Sequence, residues 1–413
     1  MLASLALIFL AGLLMAAVCQ RMKLPRIIGM LLSGVVLGPY ALNLLDPSIL
    51  SVSADLRQMA LIIILLKAGL SLNLSDLKAV GRPAVLLSFV PACFEILAVV
   101  LFAPLLLGVA GPEAAVMGAV LGAVSPAVVI PRMVRLIETG YGTHKSIPQM
   151  IMAAASCDDV FVIVLFSTFV SMAQGGVVRL TDVLQVPVSI VLGIALGAAV
   201  GYALYRLFET AHTHKRTIRN STKTVIILGA AFLLIAAEAW TSGAVPVSGL
   251  LAVVSMACVL KRTCIAAVAR RLSEKFGKLW IAAELVLFVL VGAAVDIRYT
   301  VGAGAAAIAL ILIALAFRCA GVCLCLIGTR LEKRERLFCV LAYLPKATVQ
   351  AAIGSVPLAL GLPCGQIVLS VAVLSILITA PLGAMAMDWS YRRLLDREQP
   401  APTVCAAGTD TPT

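Results

Sequence analysis

The sequence predicts an all-α, polytopic membrane protein, and three observations carry that reading. Hydrophobic residues make up 62% of the 413 positions and charged residues only 13%, a balance that separate water-soluble domains do not show. Runs of roughly 17–25 apolar residues, the length that a bilayer core about 30 Å thick demands, recur along nearly the whole chain. The lysines and arginines gather in every second connection between those runs.

Taken in order, the runs give about thirteen transmembrane helices: 3–19, 27–42, 58–74, 83–108, 114–134, 148–173, 183–206, 224–240, 244–260, 279–297, 301–328, 336–360 and 365–388. The first lacks the basic leader of a secretion signal and runs into the positive stretch Arg21–Arg26, so it reads as a retained span. The second and third are short, as tilted or interrupted crossings are. After odd-numbered spans come Arg21, Lys23 and Arg26; Lys78 and Arg82; Arg132, Arg135 and Lys145; runs from Arg206 to Lys223 and from Lys261 to Lys278; Arg330 to Arg336; and Arg392, Arg393 and Arg397. After even-numbered spans stand only Arg57, Arg179 and Arg298. The positive-inside rule then places the N-terminus outside and the C-terminus inside. The net charge of +12 is accounted for by topology and attraction to anionic lipid, with no nucleic-acid partner implied. Residues 1–390 read as one membrane unit, and 391–413, polar and rich in Pro and Thr, as a disordered cytoplasmic tail.

Eight charged residues stand out within the spans: Lys67, Arg318 and Lys346, with Glu95, Asp158, Asp159, Glu238 and Glu284. An acid at mid-membrane depth costs about 2.5–3.5 kcal/mol on insertion scales, so such groups face a bundle interior, pair with one another and mark ion paths. The pair Asp158–Asp159, inside MIMAAASCDDVFVIVLFSTFVSM (Met150–Met172), is the leading candidate site for a cation that competes with protons. Glu238, near a span end, suits an interfacial position equally well. The eleven cysteines are scattered without a CxxC pair and read as small buried hydrophobes rather than as a disulfide or zinc framework. His144, His212 and His214 lie in connecting loops and read as solvated residues, although their titration range suits proton sensing.

Two spans are broken by their own sequence. In GAVLGAVSPAVVIP (Gly118–Pro131), Pro126 removes an amide hydrogen and clashes one turn back, so the helix must kink or unwind near Ser125. Pro345, Gly354 and Pro357 interrupt LPKATVQAAIGSVP (Leu344–Pro357) in the same way. Broken helices at membrane depth are tolerated where freed backbone groups are buried or line a wet cavity, and in transporters paired breaks mark the binding site. The broken spans are the fifth and the twelfth, seven apart, so they enter from opposite sides, as inverted-topology repeats require. The same offset maps the span of Glu95 onto that of Arg318.

With these residues in place the chain resembles the monovalent cation/proton antiporters, and within them the sodium/proton exchangers of the NHA subgroup. The resemblance rests on LGAVSPAVVIPRM (Leu121–Met133), GYGTHKSIPQMIMAAASCDDV (Gly140–Val160), ILLKAGLSL (Ile64–Leu72), the Glu95 span, Arg318 and LPKATVQAAIGSVPLA (Leu344–Ala359). The plasma membrane is the expected location because no organellar address is readable in the sequence. The resemblance implies a homodimer working as an elevator-like carrier. In its core, spans 83–173 and 301–388, two discontinuous helices cross at their breaks beside the aspartates, and the remaining spans form a dimerisation scaffold. It implies Asp159 as the principal cation and proton ligand, Asp158 and Ser125 as auxiliaries, and Pro126, Pro345 and Gly354 as the breaks. Arg318 is then a fixed counter-charge to Glu95 or Asp158, with Lys346 a second. Some relatives carry a lysine in the place of Arg318, proposed to release a proton when sodium arrives, but a guanidinium does not deprotonate. Lys67 matches a basic residue common in the family; Glu284 has fewer matching surroundings.

The expected activity is exchange of sodium or lithium for protons, because a hard cation needs ionised carboxylate and carbonyl oxygens that a proton also seeks. No cofactor is expected. A sodium-coupled organic solute symporter on the same fold is the alternative. An enzyme is not: an intramembrane aspartyl protease needs two aspartates converging from two helices, whereas both lie here on one.

Overall fold

The computed structural model describes residues 1–22, 24–71, 81–174, 180–213, 218–241 and 247–397, and within them every regular element is a helix. Of the sequence features above, Lys23, Lys78, Arg179, His214 and the tail 398–413 lie outside the described residues. Among the described residues, nine stretches are long and apolar enough to cross a membrane by length and composition. The chain is a multi-pass membrane protein.

One group of helices packs around α1 (Leu2–Arg21), α2 (Arg26–Leu37), α3 (Pro47–Ser51) and α4 (Ser53–Ser71). The second expected span ended at 42, but α2 stops at Leu37, where Gly38 turns extended. It can approach its neighbours closely because glycines face them. A Cβ on Gly34 would collide with the carbonyl oxygen of Val289, and one on Gly292 with that of Leu31. Small residues at such crossings let two backbones touch, which is how membrane helices gain packing energy without a hydrophobic drive.

The next elements lead to the breaks. α5 (Arg82–Leu87) and α6 (Val90–Leu107) divide the fourth expected span at Ser88 and Phe89, with Pro91 in the first turn of α6. α7 (Gly111–Leu121) and α8 (Pro126–Thr139) divide the fifth, with Ser125 as N-cap and Pro126 opening the new helix, where its missing amide costs nothing. α9 (Ile147–Gln174), at 28 residues, is about 42 Å long. α10 (Leu180–Thr213), α11 (Asn220–Thr241) and α12 (Gly249–Thr263) follow; Ser248 and the Glu238 carboxylate both accept amide hydrogens at the start of α12. α13 (Ala266–Ala293) begins thirteen residues before the tenth expected span, because the basic stretch from Arg270 to Lys278 is itself helical. After α14 (Ile297–Cys325) the twelfth span falls into α15 (Lys333–Ala342), α16 (Thr348–Gly354) and α17 (Val356–Ala359), and α18 (Gly365–Leu394) closes the bundle.

α4, α12 and α13 join α1 and α2, while α6, α7, α8 and α9 pack with α14 and α18. α9 touches α12, and α16 touches α4 and α13, so the aspartate helix and the second broken helix lie where the two groups meet.

One expectation is corrected at the C-terminus. The tail was to begin at 391, but α18 runs to Leu394 and residues 395–397 are pinned to the turn before α9. Gly142 donates to the Asp396 carbonyl at 2.8 Å, Tyr141 pairs with Arg397, and the Tyr141 and Tyr391 rings meet edge-on at 5.0 Å. Ion pairs extend this latch: Lys145 to Glu335 at 2.8 Å, Arg334 to Glu332 at 2.8 Å, and Arg334 to Asp396 at 3.0 Å. The Glu335 hydrogen bond raises the Lys145 ammonium above its ordinary range, and Arg334 holds Glu332 below the usual carboxylate range.

Candidate functional site

The two breaks meet. The amide of Ser125 donates to the carbonyl of Pro345 at 2.8 Å, and Gln350 Nε2 donates to the carbonyl of Ala123 at 2.7 Å while Gln350 Oε1 accepts from the Ala347 amide at 2.8 Å. Each break therefore satisfies the backbone groups that the other exposes, which unwound chain at membrane depth requires. Pro126 and Pro345 stand at the breaks as the sequence reading placed them. Gly354 stands at a different one: the main interruption is 343–347, and Gly354 ends α16 directly before Ser355, where a Cβ would lie 2.9 Å from the Cβ of Ala372. It also allows close approach to α18, and this second interruption, at Ser355, is the shallower.

Beside the crossing lies a fully buried charge network. Arg318 on α14 donates to Glu95 at 2.8 Å and to Asp158 at 3.1 Å, and its Nε donates to the Tyr343 carbonyl at 2.9 Å. It also donates to the carbonyl of Gly122 in the first break. Lys346 in the second break stands 2.6 Å from the other Glu95 oxygen and donates to the Leu121 carbonyl. Asp158 accepts a further hydrogen bond from the Val124 amide at 2.7 Å. Both carboxylates and both cations are excluded from solvent, and the two positive charges balance the two negative ones. Arg318 thus takes both partners left open by the sequence, Glu95 and Asp158. Its planar fork is suited to that, since three nitrogens reach four acceptors.

Asp159, one residue on and about 100° around the helix, is outside this network. Its Oδ1 is buried without a hydrogen-bond donor, as are Oδ1 of Asp158 and the hydroxyl of Ser125. An unpartnered buried oxygen costs about 1–3 kcal/mol, and oxygen is the ligand type that a hard cation takes. Asp159 lines a cavity of about 20 Å³ with Ile64, Leu65 and Ala68 of α4 and Thr348 and Val349 of α16, room for about one water-sized occupant. A second cavity of about 450 Å³ shares Leu61 and Ala352 with it and is lined by Arg57, Ser167, Ser171, Gln174 and Glu238. The two cavities thus lie along α9 between Asp159 and its Gln174 end.

Sequence reasoning missed several members. Gln350 and Thr348 lay inside a quoted motif without a role, though two polar residues in an apolar run were the available signal. Thr379, whose hydroxyl accepts from the Lys346 amide at 3.0 Å, gave none. The Val124 amide and the carbonyls of Leu121, Gly122 and Tyr343 act through the backbone, which side-chain patterns do not disclose. Of the remaining ionisable residues, Lys67 lies 5.8 Å from the Trp280 ring centroid, and Glu284 is half-buried on α13 outside the charge network.

Comparison with known proteins places the chain in a family. The chain is 34% identical over 387 residues to sodium/hydrogen exchanger 9B2 of Homo sapiens, covering 91% of this chain and 70% of that protein. It is 32% identical over 399 residues to human sodium/hydrogen exchanger 9B1, covering 91% and 73%. The structure superposes on the sodium proton antiporter MjNhaP1 of Methanocaldococcus jannaschii with a TM-score of 0.79 at 22% identity, over 95% of this chain and 98% of that one. The transmembrane sodium/hydrogen exchanger family matches residues 5–389, and the chain belongs to that family.

Proposed function

We propose that the chain exchanges sodium for protons across the plasma membrane by alternating access, with cation and proton competing for Asp159. The observation that carries the assignment to Asp159 is its separation from Asp158. Asp158 is committed to Arg318 and the Val124 amide, whereas Asp159 faces a cavity with a free oxygen. Ser125 and the free oxygen of Asp158 complete the ligand set, and lithium, with the same preference for oxygen, competes with sodium.

The coupling follows from charge. Glu95, Asp158, Arg318 and Lys346 sum to neutrality, so the buried core carries one unbalanced negative charge when Asp159 is ionised and empty. Moving a bare ion into a low-dielectric interior costs several kcal/mol even after relaxation. One sodium ion or one proton on Asp159 removes that charge, so the core crosses loaded and stalls empty, and one proton returns for each sodium ion. The moving part consists of the helices around α6–α9 and α14–α18. The others form a scaffold and, in a homodimer, the subunit contact. Thirteen crossings, arranged as inverted repeats with the N-terminus outside and the C-terminus inside, fit this division. The family match gives no support to a sodium-coupled solute symporter, and the matched relatives are transporters rather than enzymes.

The test is sodium-triggered proton movement in sealed proteoliposomes holding an internal pH dye. The wild type is expected to release protons on addition of sodium, and Asp159→Asn to insert and fold but release none. Exchange at the wild-type rate in that variant would remove Asp159 from the mechanism.

A further inference from the structure

At the end of α9 opposite Gln174 lies a further cavity of about 570 Å³, lined by neither aspartate of the candidate site. Three separate segments build it: Arg82 at the start of α5, the turn His144–Lys145 before α9, and Gly328 to Arg330 after α14. Four of its lining side chains are basic or can become so, and among the described residues that line it none is acidic. Lys145 is engaged by Glu335. Arg82, His144 and Arg330 are exposed at the rim, and Arg82 Nη1 lies 3.9 Å from where a Gly328 Cβ would stand, which brings the first segment onto the third.

The walls are fixed. Arg336 donates to the carbonyls of Leu331 and Thr329 at 3.0 and 3.3 Å, Gly328 holds the left-handed φ of 77° that its turn needs, and the His144 turn is latched to Asp396. Leu324 and Ile327, on the last turn of α14 and just beyond it, are exposed apolar residues, so the cavity mouth adjoins a lipid-facing surface. By the positive-inside rule this end faces the cytoplasm.

We propose that this cavity binds a phosphate-bearing anion, either the headgroup of an anionic lipid or a free phosphate compound, gripped chiefly by Arg82 and Arg330. Guanidinium forks match phosphate oxygens in bidentate geometry, and the volume exceeds what a single inorganic ion fills. Because α9 bears the aspartates and α14 bears Arg318, the bound anion ties together the cytoplasmic ends of the two helices that build the exchange site.

The experiment uses the full chain in phosphatidylcholine nanodiscs and follows the thermal midpoint along two arms. In one, phosphatidylglycerol replaces part of the phosphatidylcholine; in the other, inorganic pyrophosphate is added. The midpoint is expected to rise in one arm, and which arm identifies the source as lipid or free phosphate. In Arg82→Gln/Arg330→Gln the concentration for half the rise increases by about tenfold for each guanidinium removed, while Arg82→Lys/Arg330→Lys, which keeps the charge, stays closer to wild type. Arg270→Gln/Arg271→Gln removes equal charge from α13, elsewhere on the same face, and retains the rise. No rise in either arm, or an equal loss in the α13 variant, would overturn the proposal in favour of no site or of bulk surface charge.

Discussion

Replacing Arg318 with methionine removes the guanidinium and keeps a side chain of comparable length in the buried slot. Two carboxylates, Glu95 and Asp158, then face the single ammonium of Lys346, and the carbonyls of Tyr343 and Gly122 lose their donor. Removing one partner of a buried pair costs about 3–5 kcal/mol; the two carbonyls add to this, although the terms overlap. Against a total stability of about 5–15 kcal/mol, a loss near 4 kcal/mol lowers the melting midpoint by about 8 °C, at roughly 2 °C per kcal/mol. Adding Asp158→Asn restores neutrality around the remaining Glu95–Lys346 pair, so Arg318→Met/Asp158→Asn is expected to regain about 1–3 kcal/mol, the range of coupling between residues in direct contact. The assay is thermal unfolding of purified wild type, both single variants and the double variant, followed by tryptophan fluorescence. Strict additivity, or a loss below about 1 kcal/mol for Arg318→Met, would refute the reading of these four residues as a closed charge set.

Three further outcomes follow from other parts of the fold. Gly34→Ala places a methyl group against the Val289 carbonyl and should destabilise the α2–α13 crossing by about 1–3 kcal/mol, seen as a lower melting midpoint with sodium dependence intact. Gln350→Ala orphans the Ala123 carbonyl and the Ala347 amide, for a loss of about 1–3 kcal/mol, and should slow exchange because both breaks lose a fixed point. In the latch that holds the end of α18, Glu332 has its folded value depressed by Arg334. Its stabilising effect is therefore complete above the ordinary glutamate value of 4.5 and fades as pH falls through the lower folded value. The difference in midpoint between wild type and Arg334→Ala should accordingly vanish on acidification; a difference that persists unchanged in acid would exclude that ion pair.

Much of the site was legible because the membrane makes charge conspicuous. Glu95, Asp158, Asp159, Arg318 and Lys346 stood out as ionisable residues in apolar runs, and four of the five converge in one network. Pro126 and Pro345 disclosed the breaks because proline acts on its own backbone wherever it lies. Gly354 serves twice: it ends α16 before Ser355 and also lets that helix approach Ala372 closely, and the sequence discloses only the first. The division of labour between Asp158 and Asp159 was legible as a 100° offset, yet which of the two meets Arg318 depends on the Val124 amide and the rotation of α9, which adjacent identical residues do not specify. Helix ends failed where hydropathy and helicity part company. The basic start of α13 is helical though not apolar, and residues 38–42 are largely uncharged without being helical. The ordered segment 391–397 was missed because its partners, Tyr141 and Gly142, lie some 250 positions away in the chain.

The central claim is that sodium and protons compete for one carboxylate, Asp159. It is tested most directly by sodium binding to the purified protein, measured by calorimetry over a series of pH values. Competition for a single site predicts an apparent dissociation constant that rises toward tenfold for each unit of acidification once the site begins to protonate, with binding abolished in Asp159→Asn and retained, though weakened, in Asp158→Asn. A sodium affinity independent of pH in the wild type, or wild-type binding in Asp159→Asn, would contradict it.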